Sequence, residues 1–420
     1  MTAAPRSDVE QQVARRAGET RHESVRQDER ATVGPEPDRP ARTPLTAARV
    51  LELLAPALIY LGIRQLGVLV LAWMGSFHST TVTGALRSWD GDWFLAIAES
   101  GYAGVRPELV DAFGGRDATT PMAFFPGYPG AVGLVGDATG LDLVTAGLLV
   151  TIVAGVATAY GLTMLGELIR GGSRRAGLIL VALFAATPMS VVLSMTYSEA
   201  LFCAGAVWAL VAVLRRWWLV AGLACAFAGL VRPTAAALVL AVGLAALVAV
   251  LSRRDGWRPW VAGLLAPVGL LGYLAWVGVR AGRWDGWFHV QRKGWESGFD
   301  GGDATLRFAG EALAQARSVL EVTTVAVIVV ALVLAVLCVV RRVEWPLVVY
   351  GIAVLAMDLG SNGLMNSKIR LMVPAFTLLI PVALALAKRR TPTVVLALCA
   401  LAVASSWYGA YTLTAWEWAI

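Results

Sequence analysis

An all-α, polytopic transmembrane bundle is the fold class the sequence predicts, on three observations. The composition is apolar, the apolar residues fall into successive segments near the length of a membrane crossing, and arginine clusters occupy alternate connections between them. Of 420 residues, 57% are hydrophobic and 15% charged, with a mean hydropathy of +0.66, far from the balance of a soluble domain. The net charge of +6 comes from short arginine clusters between apolar runs, with no separate basic domain, so nucleic-acid binding is excluded. Cys203, Cys225, Cys338 and Cys399 lie inside apolar stretches without paired spacing, which argues against a disulfide framework or a zinc site. His22, His78 and His289 are too dispersed for an imidazole-rich metal centre.

Residues 1–47 mix charges of both signs with proline and show no apolar periodicity, so a disordered tail retained on the cytoplasmic side is expected. The membrane domain occupies 48–420. Its first span, 50–74, carries Arg64, which costs about 2.5–3.5 kcal/mol at mid-membrane and should face the protein interior or snorkel. Residues 75–121 turn polar and aromatic and form the first external loop. Residues 122–135 read as re-entrant or interfacial. Apolar segments follow at 142–168, 176–195, 200–214, 217–231, 235–251, 260–279, 320–340, 345–359, 371–387 and 393–413, giving about 11 crossings by length and charge.

Arg170/Arg174/Arg175, Arg215/Arg216, Arg253/Arg254/Arg258, Arg341/Arg342 and Lys388/Arg389/Arg390 fall in alternate loops, which the positive-inside rule assigns to the cytoplasm together with the N-terminus. The remaining connections, 75–121, 197–199, 282–318 and 361–370, with Arg232 nearby, belong outside. Nearly all the unusual polar residues gather there, which is the pattern of a functional face.

Within the first external loop, Ser88-Trp89-Asp90-Gly91-Asp92-Trp93-Phe94 runs to Gly101-Tyr102, followed by Phe124-Phe125-Pro126-Gly127-Tyr128-Pro129. The spacing from Trp93 to Ala98 predicts a short interfacial helix ended by Gly101, with Trp93, Phe94 and Ile97 toward lipid. Asp90 would then sit at the membrane surface, either as a general base toward a hydroxyl or as an ordinary helix cap. Glu199, after Tyr197-Ser198 at a helix start, reads as a site-lining residue or a partner of the helix dipole.

These stretches, together with Tyr197-Ser198-Glu199-Ala200-Leu201-Phe202, Arg232-Pro233-Thr234 and Phe288-His289-Val290-Gln291 with Trp295, resemble the PIG-V-like mannosyltransferases of the GT-C class. The resemblance extends from about residue 51 to about 374. Ala235 stands where that family usually has glycine. What the resemblance implies is a GT-C-like fold and an inverting enzyme that takes mannose from a polyprenyl-phosphate-linked donor, with Asp90 as catalytic base. Asp92 matches no fixed family position.

A phosphate leaving group calls for fixed positive charge, for which Arg232, Lys368 and Arg370 are the candidates. Lys368 and Arg370 also fit the role of interface snorkellers. Trp89, Asp92, Trp93, Tyr102, Tyr128, Tyr197, Glu199, His289, Gln291 and Trp295 are expected to line the substrate site. The aromatics around 284–295 suit sugar stacking and equally suit an interfacial belt. No cofactor is required by these residues, although a divalent cation is compatible with them. The expected partners are the lipid-linked donor, a glycan, glycolipid or protein acceptor, and the bilayer of a cell membrane, with the active site on its outer face. The rival reading is a non-catalytic flippase for lipid-linked sugars or a membrane assembly partner.

Overall fold

The computed structural model describes residues 46–315 and 318–419. The proposed tail lies outside these residues except for its last two. The chain divides into two units, 1–53 and 54–420, and of the first only residues 46–53 are described, entering helix α1 (Ala47–Gly75). Among the described residues the regular structure is helical, apart from one isolated antiparallel bridge between Phe299 and Ser361.

Two short helices follow α1 in the first external loop, α2 (Val82–Arg87) and α3 (Asp90–Gly104). A 3-10 turn at Thr120–Ala123 then leads into α4 (Gly127–Thr139). Its 13 residues extend only about 20 Å, short of a full crossing. The bundle proper comprises α5 (Leu143–Leu168), α6 (Arg174–Ala185), α7 (Glu199–Leu214), α8 (Trp218–Gly229), α9 (Ala235–Leu251), α10 (Arg258–Leu265) and α11 (Val268–Ala281). The second long loop folds into α12 (Gly286–Trp295) and α13 (Asp303–Gln315), and the chain closes with α14 (Val319–Val340), α15 (Trp345–Leu359), α16 (Lys368–Leu371), α17 (Ile380–Ala387) and α18 (Thr391–Thr414).

Among the described residues five helical stretches are long and apolar enough to cross a membrane, namely α1, α5, α10 with α11, α14 and α18. Met365–Leu371 and Val373–Ala387 are long and apolar enough only when taken together, with a bend of 54° between them. With α7, α8, α9 and α15 as shorter apolar helices, the chain is a multi-pass membrane protein. Predicted spans 260–279 and 371–387 are each divided, and 176–195 is α6 followed, after Thr187-Pro188, by a 3-10 turn at Ser190–Ser194. Proline cannot donate to the helix ladder, so the helix stops before it.

Side-chain caps mark several helix starts. Asp142 accepts from Val144 N and Thr145 N, both at 3.1 Å, and Ser173 accepts from Ala176 N at 3.2 Å, each satisfying an orphan amide of a first turn. The core lies among α5, α6, α7, α9 and the Val373–Leu379 turn, where Phe184, Phe202, Leu162 and Phe376 are almost fully buried.

The loops sort into two groups by contact. Arg170 N donates to Glu344 Oε1 at 2.7 Å and Arg175 Nη2 to Arg389 O at 2.7 Å, while Trp218 Nε1 donates to Asp255 at 2.8 Å. In the other group Thr196 N bonds Leu86 O at 2.9 Å, Gly127 N bonds Leu230 O at 2.7 Å, and Asn362 N bonds Gly298 O at 2.9 Å. Connections carrying the arginine clusters thus touch one another, and so do the connections expected on the opposite side.

Candidate active site

Site geometry begins with the turn at Ser88–Asp90. Trp89 has φ 61°, a left-handed conformation unusual for a bulky residue, and such strain of about 1–3 kcal/mol persists only where the surroundings impose it. Tyr197 imposes it here: its hydroxyl donates to Ser88 O at 3.2 Å and accepts from Asp90 N at 3.3 Å, clamping both sides of Trp89. Gly91 allows the clamp, since a Cβ there would lie 2.5 Å from Thr196 Oγ1.

So held, the Asp90 carboxylate accepts from Arg370 Nη1 at 2.7 Å. It is not a side-chain cap, because Trp89 occupies the cap position of α3 and makes no capping bond. Arg370 stacks over the Tyr197 ring at 5.3 Å and its Nε lies 3.7 Å from Glu199. Glu199 in turn pairs with Arg232 at 2.7 Å, and Arg232 Nη1 reaches Ser198 Oγ at 2.9 Å. Four charged groups from α3, α7, the start of α9 and α16 therefore form a chain, Asp90, Arg370, Glu199, Arg232, with two charges of each sign. Its side chains are 28%, 10%, 0% and 10% exposed in that order, so Asp90 is the open end and Glu199 the buried centre.

Other candidates fall elsewhere. Lys368 is buried and donates to the backbone carbonyls of Asp358 and Ser361, so it braces the bend before Arg370 and does not join the charge chain. Asp92 turns the other way, taking Arg87 Nε at 3.0 Å and Nη2 at 2.8 Å on one oxygen. Tyr128 is fully buried in the core, its hydroxyl donating to Gly147 O at 2.9 Å beside Thr151.

The expected lipid-facing stripe of α3 is overturned. Trp93, Phe94 and Ile97 are all buried, because α4 and α12 cover this helix. Trp93 stacks on Phe124 at 5.2 Å with Trp295 edge-on at 6.5 Å, and Phe94 meets Tyr128 at 5.2 Å. Gly101 does break the helix, with φ 65° and ψ 179°, and helical chain resumes to Gly104.

Trp295 thus packs the loops together. Gln291 does likewise through Nε2 to Ala123 O at 3.2 Å, and Tyr102 donates to Phe124 O at 2.8 Å. His289 is half-buried on α12, and Trp89 is exposed beside Asp90.

Sequence reading missed Asp358, a buried carboxylate at the end of α15 with both oxygens unpartnered. The signal was available as one acid in an otherwise apolar helix, the same rule that singles out Arg64. It also missed the pair of Asp117 with Lys293 at 2.5 Å, which ties the first external loop to α12. Burial works against the charged form of Asp117, but hydrogen bonds from Lys293 and Thr119 outweigh it and hold the carboxyl well below its usual range. Among the described residues no three His, Cys, Asp or Glu side chains are grouped to hold a metal ion.

No protein-family model and no curated protein sequence matches the chain. Solved structures similar to it include two of ArnT. A crystal structure of ArnT from Cupriavidus metallidurans bound to undecaprenyl phosphate aligns with a TM-score of 0.47 and 14% identity over 83% of this chain and 61% of that one. The apo state of ArnT aligns with a TM-score of 0.47 and 15% identity over 72% and 56%. The chain therefore spans less than two thirds of ArnT's length.

Proposed function

We propose that the chain is a GT-C-like membrane glycosyltransferase that moves mannose from a polyprenyl-phosphate-linked donor to a hydroxyl of a glycan, glycolipid or protein acceptor. The site faces the outer side of the membrane, Asp90 is the general base, and the sugar carbon inverts. The observation that carries this reading is the 2.7 Å contact of Asp90 with Arg370 at the open end of a buried charge chain. It sets a candidate base, within the motifs that resemble PIG-V-like enzymes, beside a cation suited to phosphate.

In this reaction Asp90 takes the proton of the acceptor hydroxyl as its oxygen attacks the anomeric carbon. The bond from that carbon to the phosphate oxygen breaks, and the electron pair leaves with the polyprenyl phosphate, whose charge Arg370 offsets. Attack and departure occur on opposite faces, so the sugar lies between base and phosphate and the Asp90–Arg370 contact opens as the donor enters. Arg370 keeps Glu199 as a partner in that state, and Arg232 stands behind it holding Glu199. Sugar specificity rests on the family resemblance.

Transfer from labelled polyprenyl-phosphate mannose in liposomes tests the proposal. Asp90→Asn should keep donor binding and lose about 10²–10⁴ in turnover, the contribution of a general base. Arg370→Ala should weaken donor binding by about 1.5–3 kcal/mol, the value of a charge-assisted hydrogen bond, with only partial recovery in Arg370→Lys because the fork is lost. Donor binding without transfer to any acceptor would return the chain to non-catalytic handling of lipid-linked sugars.

A further inference from the structure

Arg64 projects from α1 into the protein, away from the charge chain. It is 6% exposed, and its Nη1 donates to the Ser190 carbonyl. Among the described residues no carboxylate pairs with it, and its Nε has no partner. Across from it, Ser406 of α18 is 3% exposed with its hydroxyl unpartnered. The two groups converge over Gly67, since a Cβ built there would lie 3.6 Å from Arg64 Nη2 and 3.8 Å from Ser406 Oγ. Between them is a cavity of about 10 Å³ lined also by Ser194, Ser405 and Val191.

We propose that this cavity binds a single halide ion, with chloride as its natural occupant. The chemistry is that of a buried cation with no anion beside it. A charge taken out of water requires an opposite charge or a full set of hydrogen bonds, and here the guanidinium has one carbonyl partner and an unpartnered Nε, while the Ser406 hydroxyl is free to donate to an acceptor between them. The volume is at the lower limit for a single water, too small for phosphate or carboxylate, and of the common anions only a monatomic one approaches that size. Chloride accepts from Arg64 and Ser406 and neutralises the guanidinium, which a water molecule in the same place does not.

Bound there, the ion joins α1 to α18 and to the Ser190–Ser194 turn. That turn leads within three residues to Tyr197, which clamps the Asp90 loop. The anion therefore stabilises the scaffold under the site without touching substrate.

Thermal unfolding of the purified full chain in detergent, at constant ionic strength, tests this with sodium chloride exchanged for sodium gluconate. The midpoint should rise with chloride, logarithmically once the ion exceeds its dissociation constant. Gly67→Ala, whose methyl is accommodated at ordinary contact distance and takes the place of the ion, should abolish the rise. Ser406→Ala should shrink it, and crystals grown in bromide should give an anomalous peak beside Arg64. Equal midpoints in chloride and gluconate, an undiminished chloride response in Gly67→Ala, or no bromide at Arg64 would each overturn the assignment.

Discussion

Glu199 and Asp90 carry the same functional group on neighbouring elements, but burial gives them different work. Glu199 is fully enclosed between two guanidinium groups, and removing one member of a buried ion pair leaves the other uncompensated at a cost of about 3–5 kcal/mol. Glu199→Gln is therefore expected to lower stability by that order, read as a drop in unfolding midpoint, before any effect on turnover. Asp92→Asn is expected to do neither. Its pair with Arg87 has side chains 31% and 39% exposed, where such contacts contribute about 0–1 kcal/mol, and its carboxylate faces away from Arg370. A turnover loss in Asp92→Asn matching that of Asp90→Asn would show that the base has been assigned to the wrong carboxylate.

Helices α3 and α12 show how one element's face is chosen by its neighbours. Aromatics on a short helix near a membrane suit lipid or a protein groove equally well, and here α4 and α12 supply the groove. The Asp117–Lys293 contact fastens this arrangement at its rim and makes it pH-dependent with a definite sign. Asp117 is depressed in the folded state, so its contribution is present above the unfolded value of ~4 and is lost as pH falls through the folded one. Lys293 is raised, chiefly by its hydrogen bond to Asp117, so its contribution holds below ~10 and fades at higher pH. Hydrogen exchange of 111–120 should accordingly stay slow from about pH 4 to about pH 10, after correction for intrinsic rates. In Asp117→Asn that protection should weaken across the window, and protection equal to wild type would remove the contact from this role.

At the scale of the whole molecule, the two groups of loops are kept apart by the helices between them; the 16 residues of α7 alone extend about 24 Å. Glu199 opens this helix at the charge chain and Arg215 follows its other end, so the ends differ in chemistry as the alternation of arginines requires. In a background lacking the native cysteines, Ser100→Cys and Ala314→Cys should react with an impermeant thiol reagent applied outside intact cells, and Ser252→Cys should not. All three positions are exposed. Labelling of Ser252→Cys alone would invert the orientation, and labelling of all three would dissolve the alternation.

By itself the sequence determined the properties that solvent and periodicity impose. Apolar run length and the cost of burying backbone polar groups without partners leave only helices for a chain of this composition. Arginine placement indicated which loops would meet; short motifs named Asp90, Glu199 and Arg232, and the demand for positive charge beside a phosphate named Arg370. The tertiary structure alone decided which candidates join. Lys368 and Arg370 are two residues apart, yet one side chain is spent on backbone carbonyls and the other spans to Asp90, 280 positions away. Such pairings depend on which helices become neighbours, and sequence spacing reports only along one helix. The place of Tyr128 was open for the same reason, since a phenol is equally at home against substrate or, as here, against a buried carbonyl. The burial of Asp358 and the strained Trp89 backbone likewise belong to the fold, where the surroundings that enclose a charge or hold such a turn are drawn from segments far apart in the chain.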